Sequence, residues 1–362
     1  MKKKLVYFSS SPLPSFFASS VNVTNMVNSF SKIFDKIDLV HRKGLNNPIK
    51  KFYKINSNIN LLSYSSSKLR FLNLINSIYF SIFLNNANFT IIYGRNIAAL
   101  SILCLRNYNV IIELHEPLNK NHFVNRFFLS LIKKRKNLGI VNITKPIQES
   151  FLNYFNCKQI ICSDAANDNY FPFIKKNLNS IGYVGSINKG RGINLIIAIA
   201  KLLPEYYFHI IGGEKKDIKK IFNKNIPNNI IFHGKVYPKE VYKYFGLFQI
   251  AVAPYEKKVS VKNNSDTSKF MSPLKIFEYM ASNKVILTSD HDVLKEVLND
   301  KKNAIIIPND DPDKWAGEIK RLNIDINYSK NIAKTAYNEF KLKYSWDLRA
   351  TKIIKNFKYL LK

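Results

Sequence analysis

Acidic residues are scarce in this chain: 25 Asp and Glu stand against 56 Lys and Arg over 362 residues, a formal net charge of +31. Cysteine is scarcer, and Cys104, Cys157 and Cys162 form an odd, scattered set. Such a set argues against a disulfide framework and against Cys-x-x-Cys metal binding, so a reducing, cytoplasmic compartment is expected. The six histidines include no pair at zinc spacing, and no metal is expected. The apolar stretch 68–84 (KLRFLNLINSIYFSIFL) is interrupted by Asn73, Asn76, Ser77 and Ser81. It falls short of the ~20 apolar residues a membrane span needs. The opening MKKKLVYF passes quickly to Ser and Pro, too soon for a signal-peptide core, and reads as a first β-strand. No dinucleotide fingerprint and no P-loop is present. No zinc finger, helix-turn-helix or RNA-binding signature appears either, so no nucleic-acid partner is expected from motifs.

What is present is globular. Hydrophobic residues make up 46% of the chain and aromatics 13%, too many for a disordered segment. The length favours two domains over one core. Residues 1–170 carry 22 Lys/Arg and 7 Asp/Glu, and residues 171–362 carry 34 and 18, so the positive charge is spread over both halves. Richness in Lys, Asn and Ile is what an A+T-rich genome imposes on any protein. On charge alone, nucleic acid, an anionic membrane and phosphorylated substrates are all open as partners.

Apolar runs of strand length recur at 4–9, 37–40, 52–55, 90–93, 109–114, 139–144 and 159–162, separated by helix-length segments such as 21–34. The pattern restarts at 180–184 and continues through 207–211, 230–233, 250–253, 285–288 and 304–307, with a helix at 193–203. Runs apolar on both faces are the mark of buried parallel strands. The fold class expected is α/β: two Rossmann-like, doubly wound parallel-sheet domains facing a cleft, over 1–170 and 171–345. Residues 167–177 form the linker, and 346–362 form a final helix. Segment 123–136 (FVNRFFLSLIKKRK) joins aromatics to a basic cluster; it reads either as an interfacial helix or as a sheet-covering helix with solvated Lys ends.

The sharpest local signal is MSPLKIFEYMA, residues 271–281. Ser272 is a favoured N-cap, Pro273 suits the first helical position, and Leu274 onward forms helix readily. A helix start emerging from a loop is an anion site. Lys275 in the first turn runs against the dipole preference, which a bound diphosphate would explain. Glu278, one turn on, lies on the same face and could accept hydrogen bonds from a ribose diol. A surface Lys–Glu pair accounts for the same spacing, and spacing alone does not choose between them. A second signal is YVGSINKGRGI, residues 183–193, where Gly185, Ser186 and Gly190 to Gly192 surround Lys189 and Arg191. Glycines let backbone approach a ligand, and a guanidinium matches phosphate oxygens; a basic surface loop is the plainer reading.

These two segments resemble motifs of family 4 glycosyltransferases. With IIGGE at 210–214, IFHGKV at 231–236, IAVAPY at 250–255, SPLKIFEYMASNKVILTSD at 272–290, KEVL at 295–298 and YSWDLRA at 344–350, they occur in that family's order over nearly the whole second half. The resemblance implies the GT-B fold, transfer from a nucleotide-activated sugar with retention, no metal and no cofactor beyond the donor. Glu278 matches the second Glu of the family's E-x7-E motif, which holds the ribose. Arg191 matches the residue that neutralises the donor diphosphate. Pro273 and Leu274 match the loop whose amides meet the phosphates. By the same resemblance Gly185, Ser186, Lys189, Gly213, Ser272 and Lys275 are donor-binding candidates. Phe270 stands where many members carry the first Glu, and Ser186 replaces a frequent Arg.

In the first half, TIIYGRN at 90–96 and VIIELHEP at 110–117 look like the family's strand ends. His115 is the candidate for touching the donor sugar or acceptor, with a strand-end cap as its plain alternative. Arg95 and Glu113 are acceptor-side candidates, and Asp164 reads as structural. The expected enzyme is a retaining, metal-independent hexosyltransferase using a UDP- or GDP-sugar and a glycan or lipid-linked acceptor, in cell-envelope polysaccharide synthesis. It would be cytoplasmic, with peripheral contact to an anionic inner membrane face as a further expectation. The competing class is a non-catalytic basic protein that binds nucleic acid or a membrane surface. An inverting or phosphorolytic enzyme on the same fold is a third.

Overall fold

The computed structural model describes residues 4–84, 91–117, 123–214, 226–260 and 266–361; Thr90 and His122 lie outside them. The chain divides into two compact units, one of Met1–Asp164 with Trp346–Lys362 and one of Ala165–Ser345.

The first unit is built on strands β1 (Lys4–Leu13), β2 (Lys36–Lys43), β3 (Ile59–Tyr64), β4 (Ile91–Gly94), β5 (Val110–Leu114), β6 (Leu138–Asn142) and β7 (Gln159–Ile161). All pair in parallel, in the order β3-β2-β1-β4-β5-β6-β7. Leu5 to Phe8, Val110 to Ile112 and Ile140 to Val141 are fully buried, as strands covered on both faces must be. The intervening helices are α1 (Ala18–Phe30), α2 (Ile49–Phe52), α3 (Arg70–Phe83), α4 (Ile97–Leu105), α5 (Phe123–Ile132) and α6 (Lys145–Ser150). Asn96 starts α4 by accepting a bond from Ala99 N–H at 3.2 Å. Residues 52–55 are not a strand: a turn of helix begins after Pro48 and ends at Phe52. Phe52 and Tyr53 go inward from it, which is why the run is apolar without being extended.

The second unit repeats the plan with β8 (Ser180–Val184), β9 (Tyr207–Ile211), β10 (Ile230–Gly234), β11 (Ile250–Ala253), β12 (Val285–Ser289) and β13 (Ile305–Ile307), all parallel in the order β10-β9-β8-β11-β12-β13. Its helices are α7 (Ile193–Leu202), α8 (Leu274–Ala281), α9 (Pro312–Ile324) and α10 (Ile326–Lys343). Asp311 and Asp325 cap α9 and α10 through Lys314 N–H and Tyr328 N–H. The Asn229 amide gathers the carbonyls of Ala200, Leu203 and Tyr206 beyond the end of α7. Trp315, fully buried, anchors α9 and donates its indole N–H to Pro308 O at 2.8 Å. In each sheet the strand order reverses beside the first strand, between β1 and β4 and between β8 and β11. Such reversals open the crevices where doubly wound sheets bind ligands.

The chain then returns to the first unit as α11 (Trp346–Asn356), which packs on α1. Asp347 accepts bonds from Ser29 Oγ at 2.7 Å and Lys32 Nζ at 2.6 Å. The deeper tie is Arg349, whose Nη2 lies 2.9 Å from Glu113 Oε2 in the core and also bonds the Cys162 carbonyl, while its Nε bonds the Ser163 carbonyl. Breaking a buried ion pair from one side strands the other charge, at a cost of roughly 3–5 kcal/mol. Arg349→Met is therefore expected to lower the urea-unfolding free energy of the first unit by about that amount. Adding Glu113→Gln should recover much of the loss. A single Met variant as stable as the parent contradicts this role.

Candidate functional site

In the second unit, β8 delivers the chain at Val184 into the loop that carries Gly185, Ser186, Lys189 and Arg191. Gly185 has φ +145°, a conformation that favours glycine, and a Cβ there would stand 2.9 Å from Lys275 Nζ. Gly192, at φ +74°, lies so close to the chain after β11 that a Cβ would sit 1.5 Å from the Pro254 carbonyl oxygen. The two glycines thus hold the loop against the β8–β11 switch point.

Helix α8 begins beside it, and here the sequence reading needs correction. Pro273 itself occupies the N-cap position, with extended φ −78° and ψ 122°, and its own side chain makes no capping bond. Ser272 stands one residue further out. Proline restricts φ alone, so its ψ is free to turn the chain into the helix one residue later than expected.

Lys275 is only 8% exposed, which removes the surface-pair reading. Its Nζ lies 3.8 Å from the centre of the Tyr183 ring and 5.3 Å from that of Tyr255, and it has no hydrogen-bond partner. The Arg191 guanidinium lies 5.7 Å from the Tyr255 ring centre, and its buried Nε has no hydrogen-bond partner. Burial, then repulsion from Arg191, holds the Lys275 amine well below its usual pKa. Burial also lifts the Glu278 carboxyl to about 7, against the pull of Lys275. Both groups are thereby driven toward neutrality in the absence of a ligand. Tyr183 donates from its hydroxyl to the Ser186 carbonyl at 2.6 Å, tying the loop to the strand it leaves. Gly213 packs against Ile187 of the same loop. Ser186 and Lys189 are exposed on it.

The structure therefore gathers Gly185, Arg191, Lys275 and Glu278 around one point. Sequence reasoning missed Tyr183 and Tyr255, which form the aromatic walls. Both lie at or just beyond strand ends, where an aromatic reads as core.

In the first unit, β4 and β5 carry Arg95 and His115 to the ends of adjacent strands. Glu113 is fully enclosed: it accepts from Tyr93 Oη and Arg349, meets His115 Nε2 at 2.5 Å, and has Arg95 Nε at 4.0 Å. Burial alone would raise its pKa, but Arg349, His115 and Arg95 together hold it well below the carboxylate range. Burial and then the Arg95 charge depress His115 to about 4, although the Glu113 bond opposes them. At neutral pH the imidazole is uncharged; an ionised carboxylate can only accept, so Nε2 carries the proton and Nδ1 is left as an acceptor. Glu113 is thus the support of His115 and not an exposed contact. Arg95 Nη1 is buried without a hydrogen-bond partner, as is the Tyr7 hydroxyl on β1. Asp164, held by Asn22 at 2.6 Å, is raised to about 6 by burial despite Arg349.

His209 Nδ1 and His233 Nε2 approach to 3.0 Å across β9 and β10, and burial, with His233 adding, depresses His209 to about 4. Among the described residues, no group of three or more His, Cys, Asp or Glu could hold a metal ion.

Residues 179–325 match the family model described as Glycosyl transferases group 1. A curated relative, the Bacillus subtilis (strain 168) glycosyltransferase TuaH, named for teichuronic acid biosynthesis, is 28% identical over 109 residues. That match covers 30% of this chain and 25% of the relative, so the chain spans about a quarter of its length. Among solved structures, sucrose-phosphate synthase from Thermosynechococcus elongatus aligns at TM-score 0.77 and 14% identity, over 99% of both chains. Anabaena HepE in complex with UDP and glucose aligns at TM-score 0.73 and 13% identity, over 99% of this chain and 100% of that one. The architecture is that of GT-B glycosyltransferases, two parallel α/β units of seven and six strands. Arg191 and Lys275 both lie inside the segment that matches the group 1 glycosyltransferase model.

Proposed function

We propose that the protein transfers a hexose-type sugar from a nucleotide-diphosphate donor, a UDP- or GDP-sugar, to a glycan or lipid-linked acceptor. The observation that carries this reading is Lys275: a buried amine with no hydrogen-bond partner, walled by Tyr183 and Tyr255 beside Arg191, at a sheet switch point. A diphosphate supplies what that arrangement lacks. Arg191 forks onto phosphate oxygens, Lys275 regains its proton against them, and the backbone N–H groups that follow Pro273, from Leu274 onward, complete the cradle. Glu278 accepts from the ribose hydroxyls. Gly185 and Gly213 let the backbone approach, with Ser186, Lys189 and Ser272 at the rim.

During transfer, negative charge grows on the departing diphosphate while the anomeric carbon becomes oxocarbenium-like. Cations already fixed in a low-dielectric setting stabilise that charge without reorganising, generally the largest single contribution to catalysis. Two side-chain cations and a helix start fill the role a divalent metal would otherwise have, which supports a metal-independent reaction that needs no cofactor besides the donor. Retention follows if the acceptor hydroxyl attacks from the face the diphosphate leaves and gives its proton to a phosphate oxygen. His115, neutral and oriented by Glu113, is the group we assign to a sugar or acceptor hydroxyl, with Arg95 for an anionic acceptor. The name of the Bacillus relative supports a cell-envelope polysaccharide, and three free cysteines support a reducing, cytoplasmic compartment.

Thermal-shift measurements against UDP, GDP and their sugars test donor binding. At ligand on the order of 100 times Kd, stabilisation of about 2–3 kcal/mol is expected, a rise of roughly 2–4 °C in Tm. Glu278→Ala should remove most of that rise while the unliganded Tm changes little; no rise with any of these ligands would sink the reading. For the reaction, proton NMR of the product is expected to show the donor's anomeric configuration, and the opposite anomer would establish inversion.

A further inference from the structure

Helix α3 is turned the wrong way for water. Its buried positions include Ser77 and Ser81, whose hydroxyls donate back to the Leu74 and Ile78 carbonyls of the same helix. Its exposed face carries Phe71 (68% exposed), Ile75, Tyr79 (62%) and Phe83, recurring about every turn. A helix that only covered a sheet would place these groups inward. Helix α5 repeats the arrangement: Phe123 (77% exposed), Phe127 (50%) and Leu131 stand outward, while Leu129 and Ile132 fill the contact below. Both helices pack against α4, and Arg106 at the end of α4 bonds the Ser81 and Ile82 carbonyls, fixing α3 in place. Two outward-facing apolar helix faces, on either neighbour of α4, are rare on soluble proteins unless something covers them.

The charge around these faces says what that is. Arg126, Lys133, Lys134 and Lys136 on and after α5 are all exposed. Between Leu39 and Gln148 the only acidic residues are Glu113 and Glu116, and the first of these is buried. An apolar stripe edged by lysines, with Glu116 the one exposed acid along the whole stretch, fits a surface that is apolar below and anionic above. A second protein would be expected to offer mixed charge to a mixed rim. No helix among the described residues is long and apolar enough to cross a membrane, so contact would be from one side.

We propose that α3 and α5 dock the first unit onto the surface of an anionic lipid bilayer, the aromatic side chains entering the headgroup boundary and the lysines meeting lipid phosphates. The proposal takes segment 123–136 as an interfacial helix, adds α3 to it, and stands independently of the donor site.

Sedimentation of the full chain with phosphatidylcholine vesicles, and with vesicles of phosphatidylcholine and phosphatidylglycerol, tests the proposal. The protein should sediment with the mixed vesicles, only weakly with neutral ones, and be released by salt. The pair Phe71→Gln with Phe127→Gln, and separately Lys133→Glu with Lys134→Glu, should each weaken partitioning roughly tenfold or more. Both pairs lie on exposed positions, so their melting temperatures should match the parent, which separates lost docking from lost fold. Equal binding to neutral and mixed vesicles, or none to either, overturns the proposal. So does a dimer in light scattering that the Phe pair abolishes while vesicle binding is unchanged, since that assigns the face to a second copy of the chain.

Discussion

A lysine amine buried without a hydrogen-bond partner is unfavourable to fold, and the second unit is arranged around one. Desolvation of Lys275 acts against its charge, and Arg191 nearby acts the same way. The two tyrosine faces return only part of what water would give, since a ring quadrupole is a weaker partner than a carboxylate. Had Glu278 been poised as a full counterion, the pair would be satisfied and closed. Instead its own burial lifts it toward neutrality. The site is left short of negative charge, a deficit that the diphosphate we propose would correct. Gly185, the N-cap geometry of Pro273 and the approach of Gly192 to Pro254 all serve to hold these cations at the β8–β11 switch point.

The first unit solves the opposite problem. Glu113 is as deeply buried, yet Tyr93, His115, Arg95 and Arg349 saturate it. A satisfied network of this kind rigidifies what it touches. Here it fixes the tautomer of His115 and fastens the returning helix α11 to the sheet. One unit leaves a buried amine without a partner, and the other surrounds its buried carboxylate with donors that orient one imidazole.

Much of this was legible in the sequence, and the reasons are physical. Parallel strands covered on both faces must be apolar throughout, so runs such as VIIEL and GIVNIT mark themselves. The SPLKIFEYMA segment combines a helix start with a misplaced cation, and its chemistry can be read locally. Residues 52–55 misled because two inward aromatics on a short turn imitate a strand. Ser272 misled because proline is compatible with the N-cap as well as with the first helical position. The roles of Arg349 and Tyr255 were not legible, since each depends on partners brought near only by the fold. Serines on the inner face of α3 were visible as interruptions of an apolar run, but only the burial pattern shows that the apolar residues are the ones facing out.

The most direct test of the central claim is the titration of Lys275 itself, followed by carbon-detected NMR of lysine labelled at Cε, with Lys275→Met for assignment. Without ligand, the Lys275 signal should titrate well below those of the surface lysines. On adding UDP at about pH 8 it should move to the position of a protonated amine, as a charge regained against phosphate requires. A Lys275 signal that titrates with the other lysines, or that ignores saturating UDP and GDP alike, would contradict the account.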